Sequence, residues 1–360
     1  MGGGAGQIQR VRRPGFRQRA GAKLYAEVTF SPLSLRWERG HPSLSANVTG
    51  ACLMKRYLDC SASDLADIGK ADLLYAIRAS EGRILVSETI VVTQPLLNNV
   101  TNAELAASQG ADLLLLNLFD VDRPHIAGLP ADVPPQEALR TLQRLTGRVI
   151  GVNLEAVDPA FATEHNDFWQ MTAGRAATAE NARKLYQLGA RMLVLTGNPN
   201  NGVSNQAIAA ALKAIRDEVG DEMVLVTGKM HGAGIVRESG SQLIGEQDIA
   251  LFVENGADIV LLPAPGTIPG MSQEKVAALI AYAQRQGALA MTAIGTSQEG
   301  ADVQTVRQIA LMSKMAGADL HHIGDTGYLG LALPENIFAY SVAIRGVRHT
   351  YSRMARSVNR

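Results

Sequence analysis

Gly110-Ala111-Asp112-Leu113-Leu114-Leu115-Leu116-Asn117 sets out a unit that the chain repeats. It returns at Gly256-Ala257-Asp258 into IVLLP (259–263) and at Gly317-Ala318-Asp319 into LHHIG (320–324). Variants stand at Gly189-Ala190-Arg191 into MLVLT and at Gly287-Ala288-Leu289 into AMTAIG. Each follows a stretch of helical periodicity. The glycine suits the left-handed residue that ends a helix, and the apolar run suits a strand covered on both faces.

Working outward from these units, helical spacing is expected over 101–109, 135–146, 178–188, 204–219, 246–255, 272–286, 302–316 and 334–352. The intervening strands begin with ILVSETIVV (84–92) and continue through LLLLNLFD, VIGVNLEAV, MLVLTG, MVLVTGK, IVLLPAP, LAMTAIGT and LHHIGDTG. Eight strands, each followed by a helix, imply parallel βαβ units and a single (β/α)8 TIM barrel. A doubly wound open sheet is the alternative, weakened because no Gly-x-Gly-x-x-Gly follows the first strand. The helical pattern from Ser61 to about residue 80 is expected to cap the bottom of the barrel.

Composition adds bounds. The 360 residues are 46% hydrophobic, 19% charged and 5% aromatic, with no formal net charge. That is the profile of a globular chain, and it gives no overall case for nucleic-acid binding by the barrel. Residues 1–53 differ: eight Lys/Arg stand against Glu27 and Glu38, a surplus of six. This Gly/Arg/Gln-rich segment lacks periodicity and is expected to be a disordered basic extension, or a stretch upstream of a true start at Met54. The barrel domain then occupies 54–360. The two cysteines, Cys52 and Cys60, fit neither a disulfide framework nor metal-ligand spacing. No apolar run approaches the ~18 residues of a membrane span, and Arg12-Arg13 is followed by no apolar export segment. A cytoplasmic location is expected, and a homo-oligomer is compatible with everything read here.

In such barrels the chemistry sits at the C-terminal strand ends. Those ends offer Glu88, Asn117, Asp120, Asn153, Glu155, Thr196, Lys229, His231, Gly295, Thr296, Gly324, Asp325 and Thr326. A lysine at a strand end can lose its charge and capture a carbonyl, so Lys229 is a candidate for that role, with a fixed salt bridge to Glu88 or Glu155 as the structural alternative. His231 would move protons near neutral pH. Glu88, Asp120 and Glu155, on neighbouring strands, are candidates for acid/base work or for holding Mg²⁺ or another divalent cation. Asn117 and Asn153 would orient a substrate oxygen. Gly295-Thr296 and Gly324-Asp325-Thr326 occupy the place of a common phosphate site, although Thr296-Ser297-Gln298-Glu299 also reads as a capping box. Arg237, in the long loop after the fifth strand, would grip an anionic substrate. Adjacent His321 and His322 point to opposite faces, so at most one faces the barrel centre.

Two resemblances bear on this. LLLLNLFDVDRP (113–124) resembles the first motif of the haloacid dehalogenase superfamily, which implies Asp120 as phosphoryl or alkyl acceptor and Asp122 as acid/base. Gly324-Asp325-Thr326-Gly327 is similar to that superfamily's last, metal-binding motif. Pro124 stands where Thr or Val belongs, and eight strand–helix units do not fit a dehalogenase core. The chain after Met54 also resembles a family of bacterial barrel proteins of uncharacterised function, through LDCSASDL, AIRASEGRILVSETI, LLNLFDVD and TGKMHGAG. Some of its members carry hydrolase-like or phosphoenolpyruvate-mutase-like names. The lysine–cysteine–glycine–histidine motif of the isocitrate lyase and phosphonomutase group is absent.

The expectation is therefore a barrel enzyme acting on a small anionic, phosphorylated or other carbonyl metabolite, by lyase, aldolase or isomerase chemistry. The alternatives are a metal-assisted hydrolase using Asp120, Glu155 and His231, and a non-catalytic ligand-binding barrel.

Overall fold

The structure, a computed structural model, describes residues 1–2, 55–157, 171–197, 203–232 and 240–360. The expectations placed on residues 3–54 and on Arg237 lie outside the described residues.

Eight parallel strands close on themselves in chain order: β1 (Ile84–Ile90), β2 (Leu113–Asn117), β3 (Val149–Leu154), β4 (Met192–Leu195), β5 (Val224–Gly228), β6 (Ile259–Pro263), β7 (Leu289–Ile294) and β8 (Leu320–Ile323). Pairing of β8 with β1 closes the ring, from Ile84 opposite Leu320 to Ser87 opposite Ile323. That closure rules out the open sheet. Helices α1 (Ala62–Leu65) and α2 (Lys70–Arg78) precede the barrel. Around it stand α3 (Asn102–Ser108), α4 (Ala138–Thr146), α5 (Ala179–Leu188), α6 (Asn205–Val219), α7 (Glu246–Glu254), α8 (Gln273–Arg285), α9 (Val303–Met315) and α10 (Pro334–Ala355).

The expected single capping helix is two. Gly69 stands at the break in extended conformation and serves as the N-cap of α2. The placement is as expected nonetheless. Tyr57, Leu58, Leu65, Ile68, Leu73 and Ile77 belong to the same apolar cluster as the inward strand residues Ile84, Leu113, Val149, Val224, Ile259 and Leu320. They plug the N-terminal end of the barrel. Outward residues of the same strands, such as Leu85, Leu114, Ile150, Leu193, Leu225 and Val260, form a second cluster with the surrounding helices. Burial on both faces explains why the strands read as unbroken apolar runs. Each such side chain contributes about 1.5–3 kcal/mol.

The Gly-Ala-Asp units sit at the helix-to-strand turns on the N-terminal side. Their glycines have φ of +102° (Gly110), +103° (Gly256) and +95° (Gly317), which a side chain would strain. The aspartates then tie neighbouring strands together. Asp112 donates its N–H to Leu85 O at 2.8 Å, and its Oδ2 accepts Leu85 N–H at 2.9 Å. Asp258 makes the same two bonds to Leu225, and Asp319 makes them to Ala290. A residue on the preceding strand is thus held at both its N–H and its C=O, which fixes the register.

Under β2, Asp112 also anchors the chain's end. It pairs with Arg345, and Arg353 Nε lies 2.9 Å from its Oδ1. Arg353 donates to Tyr57 O at 2.6 Å, and Tyr57 Oη donates to Asp112 O at 2.7 Å. Burial pushes the Tyr57 phenol up, out of the ordinary tyrosine range. The last helix, kinked at Gly346 (φ +74°), is thereby locked onto the N-terminal plug.

Candidate active site

The inward register that fills the barrel with Val86, Leu115, Gly151, Val194, Ala293 and His322 carries on two residues further along each strand. The next inward positions are Glu88, Asn117, Asn153, Thr196, Gly295 and Gly324, and all six line one cavity. The change from apolar to polar at this level makes the C-terminal mouth of the barrel wet while its middle stays dry. The cavity measures about 310 Å³ and is also lined by Glu155, Arg175, Met230, His231, Glu299 and Asp325. Its size suits a small metabolite.

Carboxyl groups dominate one side. Glu88, Glu299 and Asp325 are each largely buried there, and His322 Nε2 approaches Glu88 Oε2 at 3.1 Å. That approach lacks the angle of a hydrogen bond, so both ring nitrogens of His322 are without hydrogen-bond partners although the residue is fully buried. Burial, and then the charge of Glu88, push the Asp325 carboxyl up to about 7, against the pull of hydrogen bonds from Asn117 and Gly327. Burial raises Glu299 as well. Closely spaced carboxyls in a dry wall cannot all ionise.

Amides connect this wall to the opposite one. Asn117 Nδ2 donates to Asp325 Oδ2 at 3.0 Å, and Asn153 Nδ2 reaches Asn117 Oδ1 at 3.4 Å. Beyond Asn153, Glu155 pairs with Arg175, both buried. The short 3₁₀ turn Ala173–Arg175 brings Arg175 over the mouth, held by a backbone bond from Glu155 N–H to Arg175 O at 3.0 Å. His231, on the fourth side, is held below the ordinary histidine range by burial, with the Lys229 charge acting in the same direction.

The backbone is strained where it frames these groups. Leu118, Ser297 and Thr326 have φ of +60°, +70° and +58°. Leu118 and Thr326 adjoin Asn117 and Asp325, and Ser297 N-caps the 3₁₀ turn that carries Glu299. Non-glycine residues in that region cost about 1–3 kcal/mol each and gather at functional sites.

Several expected site residues lie elsewhere. Asp120 is not on the cavity wall. Burial tends to raise its carboxyl, but hydrogen bonds from the Thr172 hydroxyl and the N–H groups of Asp122 and Arg123 outweigh this and hold it low. It staples the loop after β2, and its partner in the dehalogenase-like motif, Asp122, pairs with Lys184 on the surface. The trio Glu88, Asp120 and Glu155 is therefore not assembled. Among the described residues, no group of three or more His, Cys, Asp or Glu is placed to hold a metal ion.

Lys229 follows β5, is 1% exposed, and is not among the wall residues. The lysine expected to capture a carbonyl is thus buried and not on the cavity wall. The glycines of the expected phosphate cradle, Gly295 and Gly324, both line the cavity, close to Met230 and Glu299. A Cβ on Gly295 would fall 2.1 Å from Met230 Sδ, one on Gly324 would lie 3.5 Å from the Glu299 carboxyl, and the Gly324 N–H is spent on Ile294 O at 2.9 Å. Thr296 bonds to Thr267 O and Gln298, so it forms neither the cradle nor the capping box. Thr326 is outside the wall.

Sequence reasoning passes over Arg175 and Glu299, and leaves His322 undecided. Glu299 sits inside an apparent capping box. Register identifies His322, since Leu320 two residues earlier is an inward residue. His321 points outward, bonded to Gly82 O at 3.0 Å.

The sequence profile described as "Domain of unknown function (DUF7916)" matches residues 58–360. The chain belongs to this family. No curated protein matches the chain. Among solved structures, this DUF7916 chain is similar to orotidine 5'-phosphate decarboxylase from Pyrococcus horikoshii. The identity is 14%, over 73% of this chain and 100% of that one, with a TM-score of 0.43. A candidate phosphonomutase from Burkholderia cenocepacia is 15% identical over 73% and 95% of the two chains, with a TM-score of 0.44. Thiamine phosphate pyrophosphorylase from Pyrococcus furiosus is 9% identical over 74% and 97%, with a TM-score of 0.42. These likenesses say nothing about chemistry, and the closed barrel rests on the strand pairing above.

Proposed function

We propose that this barrel is an enzyme that moves protons next to a carbonyl group of a small polar metabolite, as an isomerase or a lyase. The observation that carries the reading is the pairing of Glu88 with Asp325 on one cavity wall, where burial and mutual repulsion keep a proton on Asp325 near neutral pH. A carboxylate and a carboxylic acid side by side supply a base and an acid from the same kind of group.

In this mechanism Glu88 takes a proton from the carbon beside the carbonyl. Its position is set by β1 and by His322 at 3.1 Å. The electron pair left behind forms the C=C bond of an enol, and Asp325 gives its proton to the carbonyl oxygen. Asn117, already bonded to Asp325, orients that oxygen. In an isomerase the proton returns to the neighbouring carbon; in a lyase the enol gives its O–H proton back to Asp325, the C=O re-forms as the C=C shifts one carbon along, and the next bond breaks with its electron pair leaving on the departing group. General acid–base steps of this kind contribute typically about 10²–10⁴-fold each. The substrate is read as a compound without phosphate, because the carboxyls of Glu88, Glu299 and Asp325 share the wall with the glycines of the expected cradle and oppose a further anion.

Incubation in D₂O with a mixture of small carbonyl metabolites tests this. Wild type should place deuterium on the carbon beside a carbonyl in at least one of them, and Glu88→Gln and Asp325→Asn should lose that exchange. Absence of any enzyme-dependent exchange across sugars, oxo-acids and amino-carbonyl compounds would falsify the reading.

A further inference from the structure

We propose that the cavity recognises a protonated amino group of its substrate, seated between Glu299, Glu88 and Asp325. This rests on the cavity being the working site, and it names the class of compound that enters it.

Three observations on the wall converge. The first is charge. Of the four wall carboxyls, Glu155 is paired with Arg175, the one guanidinium among the described wall residues, and Asp325 holds a proton near neutral pH, which leaves Glu88 and Glu299 without a cationic partner on the wall. The wall accordingly favours a cation and disfavours a second anion. The second is an acceptor without a donor. Glu299 is 4% exposed, its Oε2 has no hydrogen-bond partner, and the residue lines the cavity. A buried carboxylate oxygen left unpaired costs more than an ordinary hydrogen bond returns, so a ligand that donates there gains most. The third is the kind of cation. The carboxyls are not placed as a metal-binding group among the described residues, whereas an ammonium group carries three donors with loose angular demands. Asn153 Oδ1, also buried and without a partner on the same wall, offers a further acceptor for a hydroxyl or amine.

An ammonium group seated beside Asp325 favours its ionised form and so lowers the pH at which it gives up its proton.

The test uses methylammonium, which is small enough to enter whatever the full substrate is. Protein labelled with ¹³C at aspartate and glutamate side chains is titrated by NMR with methylammonium chloride, sodium acetate, inorganic phosphate, or sodium chloride at matched ionic strength. Methylammonium should shift the Glu299 and Asp325 carboxyl resonances saturably and lower the Asp325 titration midpoint by about half a pH unit or more. Acetate, phosphate and sodium chloride should give only a linear drift. Glu299→Gln should weaken methylammonium binding about tenfold, the loss of one hydrogen bond between charged groups. Saturation by acetate or phosphate instead, or drift alone with methylammonium, overturns the proposal. So does unchanged affinity in folded Glu299→Gln; should that variant not fold, the wild-type titration decides alone. Binding of methylammonium without deuterium exchange would remove the enzymatic reading and keep the cation site. Exchange without methylammonium binding would do the reverse.

Discussion

Asp112 holds Leu85 at both its backbone groups, accepting its N–H at 2.9 Å and donating to its C=O at 2.8 Å. Asp258 and Asp319 repeat the arrangement between β5 and β6, halfway around the barrel, and between β7 and β8. The three sites differ in what else depends on the aspartate. Asp112 is fully buried and neutralises Arg345 and Arg353, whereas Asp319 is half-buried and bonds Gln284. Asp112→Ala should therefore cost about 3–5 kcal/mol, because it strands buried charges. Asp319→Ala should cost about 1–2 kcal/mol. Urea unfolding of both variants checks the order; equal losses would mean that the register bond, and not the ion pair, sets the effect.

How much can be read from the chain follows from the same contrast. Strands and helices are legible because each is bounded by residues with a local reason to be there: a left-handed glycine behind, an apolar run through, a polar residue after. Glu88, Asn117, Asn153, Thr196 and Asp325 reach the cavity because two-residue alternation carries them inward or just past a strand end. Arg175 and Glu299 reach it from 3₁₀ turns in the loops, whose return to the mouth depends on tertiary bonds such as Glu299 O with Asn336 at 2.8 Å. No periodicity encodes that. Lys229 departs from expectation because alternation turns it away from the cavity: Val224 and Val226 point inward, and Met230, two residues past Gly228, lines the wall.

Burial of Lys229 gives a direct check. An amine-reactive reagent applied to the folded protein should label Lys213, whose side chain is 64% exposed, and leave Lys229 unlabelled. Reduction with borohydride in the presence of oxo-acids should likewise add no mass at Lys229. Peptide mass mapping reads both, and rapid labelling of Lys229 in native protein would restore it as a candidate for covalent chemistry.

Two glycines separate a rigid contact from a yielding one. A Cβ at Gly228 would fall 2.0 Å from the Leu261 backbone oxygen, inside the β5–β6 pairing. A Cβ at Gly295 would meet Met230 Sδ at 2.1 Å, the far end of a flexible side chain. Gly228→Ala should lose several kcal/mol or fail to fold, while Gly295→Ala should lose about 1–3 kcal/mol, the usual range for overpacking. Gly295→Ala should also push Met230 into the cavity and weaken ligand binding more than it weakens the fold. Thermal unfolding and the methylammonium titration, run on the same preparation, separate the two effects.

The two unusual titrations act on stability with opposite signs. His321 is held at about 4 by burial, below its ordinary 6.5. Between those values the unfolded chain binds the proton and the folded one does not, so stability is full above 6.5 and falls as pH drops toward 4. Asp325 is held at about 7, above its ordinary 3.8. Between 3.8 and 7 the folded state keeps a proton that the unfolded chain has released, so stability is fullest at low pH and falls as pH rises to 7. His321→Gln should flatten the acid side of the stability profile, and Asp325→Asn should remove the decline between pH 4 and 7. The second variant should gain on wild type by a few kcal/mol at pH 8 relative to pH 4, because a tenfold difference in proton affinity between the folded and unfolded states is worth about 1.4 kcal/mol. If Asp325 is the acid, the proposed proton exchange should have its own limb in wild type and fall above pH 7 as Asp325 loses its proton. Urea denaturation from pH 4 to 8 measures the stability profiles, and a stability curve for Asp325→Asn parallel to wild type would place its carboxyl near the ordinary range and remove it as the acid.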